Sequence, residues 1–193
     1  MERLIAELYA GRPVLLPTDT VYGLVSRPSE AAVAALYELK GRSAEQPTAL
    51  VAASVDQLLE TIPELREAQL RALLPGPFTL VLPNPERRYP WLAGGNPDAI
   101  GVRVPNLPAD AQSVIATVGA VAATSANDPG GPDPRELTDV PERIRKACAA
   151  LDAGALPGTP STVMDLTGPE PRVLREGAIA TKEALALLNR VAE

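Results

Sequence analysis

The chain has 193 residues, a formal net charge of −6 and 46% hydrophobic residues, but it contains no histidine. Without histidine, a Ser-His-Asp triad, a Cys-His dyad and histidine-bound zinc are all excluded. The negative charge and an aromatic content of 3% disfavour a broad nucleic-acid surface, because such surfaces attract phosphates and stack bases on aromatic rings. A lone cysteine, Cys148, excludes an internal disulfide and a cysteine metal cluster.

The length fits one domain of above-average size, and we predict a single domain over residues 1–193. No apolar run reaches the roughly 18 residues that a membrane span requires. The first residues also lack the basic segment followed by an apolar stretch that marks a signal peptide. These features predict a cytoplasmic protein without membrane contact.

The chain begins with a predicted helix over residues 2–10, followed by a short buried strand at Val14–Pro17. Residues 17–24 then read Pro-Thr-Asp-Thr-Val-Tyr-Gly-Leu. They place small hydroxyls and one carboxylate at the end of the strand, which is where open α/β sheets bind ligands. This segment is therefore predicted to form one wall of a binding cleft.

A second helix is predicted over residues 29–39, with Ser29 as its cap and Gly41 at its exit. Two cations, Lys40 and Arg42, lie at this helix end. They are expected to be exposed there and to point into a cleft.

The remaining elements alternate between apolar strands and helices, and the loops are rich in proline, glycine and asparagine. Segment 83–99 is predicted to be a lid or binding loop, because long loops without regular structure are uncommon in compact domains. The mixture of elements predicts one α/β domain with a mixed sheet. The predicted strands are 49–53, 78–82, 100–104, 121–123 and the pair 161–166 and 172–174; the predicted helices are 64–74, 108–118, one near 141–150, and two capped by Ser54 and Thr181.

Polar side chains at the ends of these elements are rich in cations and hydroxyls. They include no histidine and no paired carboxylate for strong general-base catalysis. Phosphoryl and adenylyl transfer depend mainly on positioning and charge neutralisation, so the set favours nucleotide chemistry. Neither a P-loop sequence nor a Gly-x-Gly-x-x-Gly turn after a strand is present. The residues are Thr18, Asp19, Thr20, Lys40, Arg42, Arg103, Ser125, Asn127, Ser161, Thr162 and Arg175.

Eight segments together resemble the YrdC/Sua5 family of threonylcarbamoyl-AMP synthases in its short, single-domain form. Each segment alone is a weak signal, whereas the set occurs in the family's order and spans most of the chain. The segments are Pro-Thr-Asp-Thr-Val-Tyr-Gly-Leu at 17–24, Lys-Gly-Arg at 40–42, Pro47, Leu-Pro-Gly-Pro-Phe-Thr at 74–79, Gly-Val-Arg-Val-Pro at 101–105, Ala-Thr-Ser-Ala-Asn at 123–127, Ser-Thr-Val at 161–163 and Arg-Glu-Gly at 175–177.

The resemblance implies a twisted, mixed α/β sheet with flanking helices and a basic concave cavity. It also implies a nucleotidyltransferase that converts L-threonine, bicarbonate and ATP into threonylcarbamoyl-adenylate and pyrophosphate, with Mg²⁺ arriving on ATP. Partner proteins then transfer the threonylcarbamoyl group to an adenosine beside the tRNA anticodon. The family's cavity has been associated with RNA, which implies a weak direct tRNA contact.

The resemblance further implies the roles of individual residues, and it implies no protein ligand for a metal. Three departures weaken the implied ligand contacts: Val51 replaces a common histidine, Gln46 replaces a common asparagine, and residues 128–131 replace a Ser-Gly stretch. The implied catalytic residues are Lys40, Arg42, Ser125 and Asn127; those for L-threonine are Thr20, Arg103, Ala123 and Ser161; those for ATP are Lys40, Arg42, Gln46, Ser125 and Arg175.

Other readings of the same residues and of the whole chain stay open. Asp19 is interpreted as a scaffold that accepts local amide hydrogen bonds, not as a base. An RNA-binding protein of the same fold without synthase activity is one functional alternative, and a paralogue that adenylates another carbamoyl donor is a second. For single residues, the alternatives are turn caps at Thr18 and Thr20, a solvated helix end at Lys40 and Arg42, an edge strand at Arg103, and a simple turn at Ser125 and Asn127.

Overall fold

The computed structural model describes residues 1–189. Among these residues, seven α-helices flank one continuous nine-stranded sheet, which confirms the predicted mixed α/β fold. None of the described helices is long and apolar enough to cross a membrane. The helices are α1 (Glu2–Tyr9), α2 (Glu30–Lys40), α3 (Val55–Thr61), α4 (Glu67–Leu73), α5 (Ala109–Val118), α6 (Glu142–Ala147) and α7 (Thr181–Asn189). The strands are β1 (Val14–Pro17), β2 (Tyr22–Ser26), β3 (Ala49–Val51), β4 (Phe78–Pro83), β5 (Ala99–Arg103), β6 (Val121–Ser125), β7 (Ala149–Ala150), β8 (Thr162–Asp165) and β9 (Arg172–Arg175).

The sheet is mixed, with the strand order β7-β1-β2-β6-β3-β5-β4-β8-β9. Three neighbouring pairs are parallel, namely β1 with β7, β3 with β5, and β4 with β8. The other five pairs are antiparallel, including the predicted hairpin of β8 and β9. This order places β6, β3 and β5 side by side at the centre of the sheet.

One face of the sheet carries the larger hydrophobic core. Leu24, Leu50 and Leu80 are fully buried there and pack in one cluster with α2 and α3. Successive side chains of a strand point to opposite faces. Val25 and Val51 therefore face the other side, where a smaller cluster joins them to α1 and α5.

Helices α1 and α5 leave part of this second face uncovered. The central strands carry small residues there, namely Gly23, Ala49, Gly101 and Ala123. The register places Ala49 opposite Ala123, so these residues share one face. The absence of long side chains leaves a hollow in the sheet surface, and this hollow is where the candidate site lies.

Two of the four predicted helix-end signals have their expected geometry, and Thr181, predicted as a cap, is the first residue of α7. Gly41 ends α2 in the left-handed conformation with φ of 70°, which glycine adopts without steric cost. Ser54 caps α3, since its Oγ accepts a hydrogen bond from Gln57 N at 3.0 Å. Ser29 precedes α2 in an extended conformation, but its side chain makes no capping hydrogen bond.

Several boundaries differ from the predicted elements: β3 ends at Val51 instead of residue 53, and α4 begins at Glu67 instead of residue 64. Three further differences involve strand pairing. Residues 22–26 form β2, which pairs with β1 although the sequence motif there suggested only a strand end. Strand β6 continues to Ser125, so the predicted end at residue 123 is wrong. The helix predicted to reach residue 150 ends at Ala147, because the next residues pair with β1 as strand β7.

Segment 83–99 is tied to the segment before β3. Thr48 N donates to Leu92 O at 2.9 Å. Gly94 has φ of 61° and packs so closely that a Cβ there would lie 2.9 Å from Pro47 N. The two segments therefore form one continuous rim over the hollow, and the lid function of segment 83–99 stays a prediction.

Candidate ligand-binding site

Two adjoining cavities open over the uncovered part of the sheet. The first has a volume of about 400 Å³, and the second a volume of about 470 Å³. Both are lined by Arg42, Pro47, Ser125, Asp133 and Arg175. A ligand that extends through this shared region can contact both cavities at once.

All but one of the residues predicted to form the site line these cavities. The exception is Thr20, which lines neither. The first cavity alone contains Arg103, Ala123 and Ser161; the second alone contains Lys40, Gln46 and Asn127; and the region shared by both contains Arg42, Ser125 and Arg175.

Arg103 is held at the end of β5 by the segment that follows β1. Its Nη2 donates to Asp19 Oδ1 at 2.6 Å, and the exposed fractions of the two side chains are 12% and 10%. Asp19 Oδ2 also accepts from Asn106 N at 3.1 Å, in line with its interpretation as a scaffold. Within residues 1–189, the buried Nε of Arg103 has no hydrogen-bond partner. Burial lowers the pKa of Arg103, and the charge of Asp19 opposes that shift.

Thr20 lies behind Arg103 and is only 1% exposed. Its Oγ1 accepts from Arg103 Nη2 at 2.8 Å and lies 3.1 Å from Thr18 Oγ1. Thr18 does line the first cavity. Thr20 therefore positions the guanidinium of Arg103. The contact of Thr20 with an amino acid stays a prediction.

Ser161 lies immediately before β8 and forms a cluster with Thr79 and Arg175. The hydroxyl oxygens of Ser161 and Thr79 are 2.8 Å apart. Arg175 Nη2 donates to Ser161 O at 2.8 Å and lies 3.3 Å from Ser161 Oγ. Thr79 had no predicted role, and its position at the end of the 74–79 motif was the one sequence signal that could have indicated it.

Gly177 fixes the backbone that carries Ser161. A Cβ at Gly177 would lie within 2.6 Å of the carbonyl carbon of Ser161. The Gly177→Ala variant should lower the free energy of unfolding by about 1–3 kcal/mol, because main-chain atoms must move to admit the methyl group. Urea unfolding measures this loss. Gly168→Ala is the control, since its Cβ would meet nothing closer than 4.0 Å. Equal stability of the two variants would contradict the prediction.

Lys40 is 2% exposed, so the prediction that it is exposed at the end of α2 is wrong. Its Nζ donates to Ser125 O, to Asn127 O at 3.0 Å and to Asn127 Oδ1 at 2.8 Å. The ammonium thereby joins the end of α2 to the turn after β6. The pKa of Lys40 is lowered to about 8, first by burial and then by the charge of Arg42, while the charge of Asp133 opposes the shift.

The turn that Lys40 holds has its own internal hydrogen bonds. Ser125 Oγ donates to Asn127 Oδ1 at 2.7 Å, and Asn127 Nδ2 donates to Gly131 O at 2.7 Å. Asp128, which follows the turn, pairs with Arg143. This network fixes the Ser125 hydroxyl at the boundary between the two cavities.

Arg42 connects the rim with the shared region of the cavities. Its Nη2 donates to Pro47 O at 2.6 Å, while its buried Nε has no partner within residues 1–189. Burial lowers the pKa of this guanidinium. A buried donor without a partner costs free energy. The positive charge of Arg42 is available to an anionic ligand in the shared region.

The sequence reasoning missed the carboxylate of Asp133, which lines both cavities. Its position among prolines and glycines suggested only a turn-rich loop. Four cations line the same surface, namely Lys40, Arg42, Arg103 and Arg175. The fold and the site therefore define a mixed α/β protein whose sheet face can hold a polyanionic small molecule beside a partly apolar hollow.

A family comparison agrees with this description. The model of the Sua5/YciO/YrdC family, described as "Telomere recombination", matches residues 6–177. The chain belongs to this family, which confirms the resemblance that its motifs indicated.

Known relatives and one solved structure cover most of the chain. A threonylcarbamoyl-AMP synthase of Pyrococcus abyssi is 35% identical over 187 residues, which cover 94% of this chain and 55% of that protein. A putative threonylcarbamoyl-AMP synthase of Mycobacterium tuberculosis is 33% identical over 191 residues, or 96% of this chain and 87% of the relative. The crystal structure of P. abyssi Sua5 complexed with L-threonine has a TM-score of 0.85 and 35% identity, and the match covers 95% of this chain and 55% of that one. The chain thus spans about half the length of the P. abyssi relative.

Proposed function

We propose that the chain is a threonylcarbamoyl-AMP synthase, an enzyme that forms threonylcarbamoyl-adenylate and pyrophosphate from L-threonine, bicarbonate and ATP. The observation that carries this proposal is the junction of the two cavities at Arg42, Ser125 and Arg175. One side of the junction suits an amino acid, and the other suits a polyphosphate. The names of the relatives and the threonine complex of P. abyssi Sua5 support the same reaction.

The amino acid would bind at Arg103, Ser161 and Ala123. A guanidinium is well suited to pair with a carboxylate, and Arg103 lines the first cavity. The hydroxyls of Ser161 and Thr79 lie on the cavity wall and offer partners for a polar side chain. Gly101 and Ala123 leave room for the substrate on the floor between them.

The nucleotide would occupy the shared region and the second cavity. Lys40, Arg42 and Arg175 supply positive charge there, and Gln46 and Ser125 supply polar contacts. Charge neutralisation by fixed donors is the main contribution that a protein makes to transfer at phosphorus.

The reaction needs no protein nucleophile. The threonine amine attacks the carbon of bicarbonate, and loss of water gives a carbamate. A carbamate oxygen then attacks the α-phosphorus, and the bond to the β-phosphate oxygen breaks so that pyrophosphate leaves. Ser125 and Asn127, fixed beside Lys40, would orient the reacting groups.

Magnesium enters this proposal as the counter-ion of ATP, where it would neutralise phosphate charge. Among residues 1–189, no group of three or more cysteine or acidic side chains could hold a metal ion. Phosphate oxygens and water would thus provide most of its ligands. The acceptor of the labile product would be a set of tRNA-modifying partner proteins.

The test is a pyrophosphate-release assay with purified protein, ATP, Mg²⁺ and radiolabelled bicarbonate, to which amino acids are added singly. Release should require threonine, and Arg42→Ala should lower the rate by about 100-fold because charge stabilisation is lost. Arg71→Ala is the matched control, since Arg71 is an exposed arginine on α4 that pairs with Asp56. Threonine-independent release, or full activity of Arg42→Ala, would contradict the proposal.

Binding of tRNA with a steep salt dependence, in a protein that does not bind ATP, would favour the RNA-binding alternative.

A further inference from the structure

Asp133 differs from the other carboxylates near the site. Asp19 pairs with Arg103, and Asp128 pairs with Arg143. Within residues 1–189, the carboxylate of Asp133 takes part in no ion pair. It nevertheless lines both cavities. Its charge acts on the ammonium of Lys40, but no described residue pairs with its carboxylate oxygens, which can therefore contact a ligand.

The chain holds Asp133 in place from both sides. Gly131 O accepts a hydrogen bond from Asn127 Nδ2 at 2.7 Å, and Pro134 O accepts one from Tyr22 N at 3.0 Å. Pro132 and Pro134 flank the residue, and the proline ring fixes the φ angle of each. The backbone of Asp133 thus has a defined position at the boundary between the cavities.

This carboxylate conflicts with direct phosphate binding. The same shared region holds Arg42 and Arg175, whose guanidinium groups favour a polyphosphate. A fixed carboxylate beside that phosphate would repel it unless a cation lies between them. Magnesium is commonly bound through one or two carboxylates together with substrate phosphates and water.

We infer that Asp133 is the protein ligand for a divalent cation that enters with the nucleotide, directly or through a bound water. The inference rests on the proposed function, because it needs a nucleotide in the shared region. Asp133 then makes the site selective for the metal complex of the nucleotide: the metal-free form is repelled, and the metal-bound form gains an oxygen ligand.

The experiment measures ATP binding by calorimetry, with and without Mg²⁺, in the native protein and in Asp133→Asn. In the native protein, Mg²⁺ should tighten ATP binding by about tenfold or more. A tenfold change in Kd corresponds to roughly 1.4 kcal/mol of binding free energy. In Asp133→Asn, metal-free ATP should bind several-fold tighter than in the native protein, while the gain from Mg²⁺ should fall to about twofold. This opposite response of the two nucleotide forms would not arise from a general loss of folding.

Asp128→Asn is the matched control, since it removes a carboxylate of the same loop that also lines the second cavity but already pairs with Arg143. It should keep the native gain from Mg²⁺. A second readout replaces Mg²⁺ with Mn²⁺ and follows water-proton relaxation, which should detect a Mn²⁺–ATP complex on the native protein at lower Mn²⁺ concentrations than on Asp133→Asn.

Three results would overturn the inference. An undiminished gain from Mg²⁺ in Asp133→Asn, or a loss of threonine binding alone in that variant, would overturn it and leave the proposed function intact. A native protein that binds no ATP with or without Mg²⁺ would overturn the proposed function and this inference together.

Discussion

Replacement of Arg103 by methionine should weaken the binding of L-threonine by about 100-fold. In the proposed complex, the guanidinium pairs with the substrate carboxylate in a buried position, and removal of one partner of such a pair costs roughly 2–5 kcal/mol. Titration calorimetry with threonine measures the loss. Arg103→Lys should not restore affinity, because a lysine ammonium cannot reproduce the planar fork of donors.

The same substitution also leaves Asp19 buried without its partner, which is expected to destabilise the fold by about 3–5 kcal/mol. The double variant Asp19→Asn/Arg103→Met removes this uncompensated charge. It should recover stability in urea unfolding, yet it should still fail to bind threonine. Recovery of threonine binding in the double variant would contradict the assignment of Arg103 to the carboxylate.

Replacement of Lys40 by methionine should reduce synthesis by at least about 100-fold, an effect typical of lost charge stabilisation. The native ammonium makes three hydrogen bonds to Ser125 and Asn127, and it contributes positive charge to the second cavity. The variant should bind threonine with nearly native affinity, since Arg103 and Ser161 line the other cavity. Single-turnover synthesis and threonine calorimetry, measured on the same sample, separate these two effects.

The native protein should also lose ATP affinity as the pH rises through about 8. Burial lowers the pKa of Lys40 from 10.5 to about 8, so the folded protein loses this proton while the unfolded chain retains it. Stability contributed by this group consequently increases between about pH 8 and 10.5, because the unfolded state binds more protons there. The titration of Lys40 itself therefore cannot lower affinity over this interval by unfolding the protein. In Lys40→Met, the fall in ATP affinity and the Lys40 contribution to stability should both disappear, and an unchanged pH profile of ATP affinity would contradict the role of the ammonium.

Much of the fold could be predicted because local signals and tertiary packing agree. The apolar period of α2 and the glycine after it fix that helix, and Ser54 with Gln57 fixes the start of α3. Strands β2 and β7 were not predicted, because they depend on pairing with β1, which lies far from β7 in the sequence. A two-residue strand of alanines carries no periodicity that could reveal its partner.

The sequence predicted most of the residues that line the site, but it did not predict their burial or their contacts. Motifs identified Arg42, Arg103 and Arg175 as cavity residues, and the structure brings them to one face of the sheet. Sequence could not tell that Lys40 is buried, since the turn that covers it comes from a strand more than eighty residues later. It also could not tell that Thr20 faces Arg103 instead of the cavity.

The small residues on the floor of the first cavity make its capacity adjustable without a change of fold. A Cβ at Gly101 would meet Ala49 and Thr79 at no less than 3.8 Å, and one at Gly23 would meet its neighbours at 3.6 Å or more. These are ordinary van der Waals separations, so added methyl groups there would occupy ligand space while the strands stay in register. Each added methyl group would thus reduce the size of the ligand that the hollow can hold by about one carbon. Ligand affinities measured over a series of such variants would show how large the accepted molecule is.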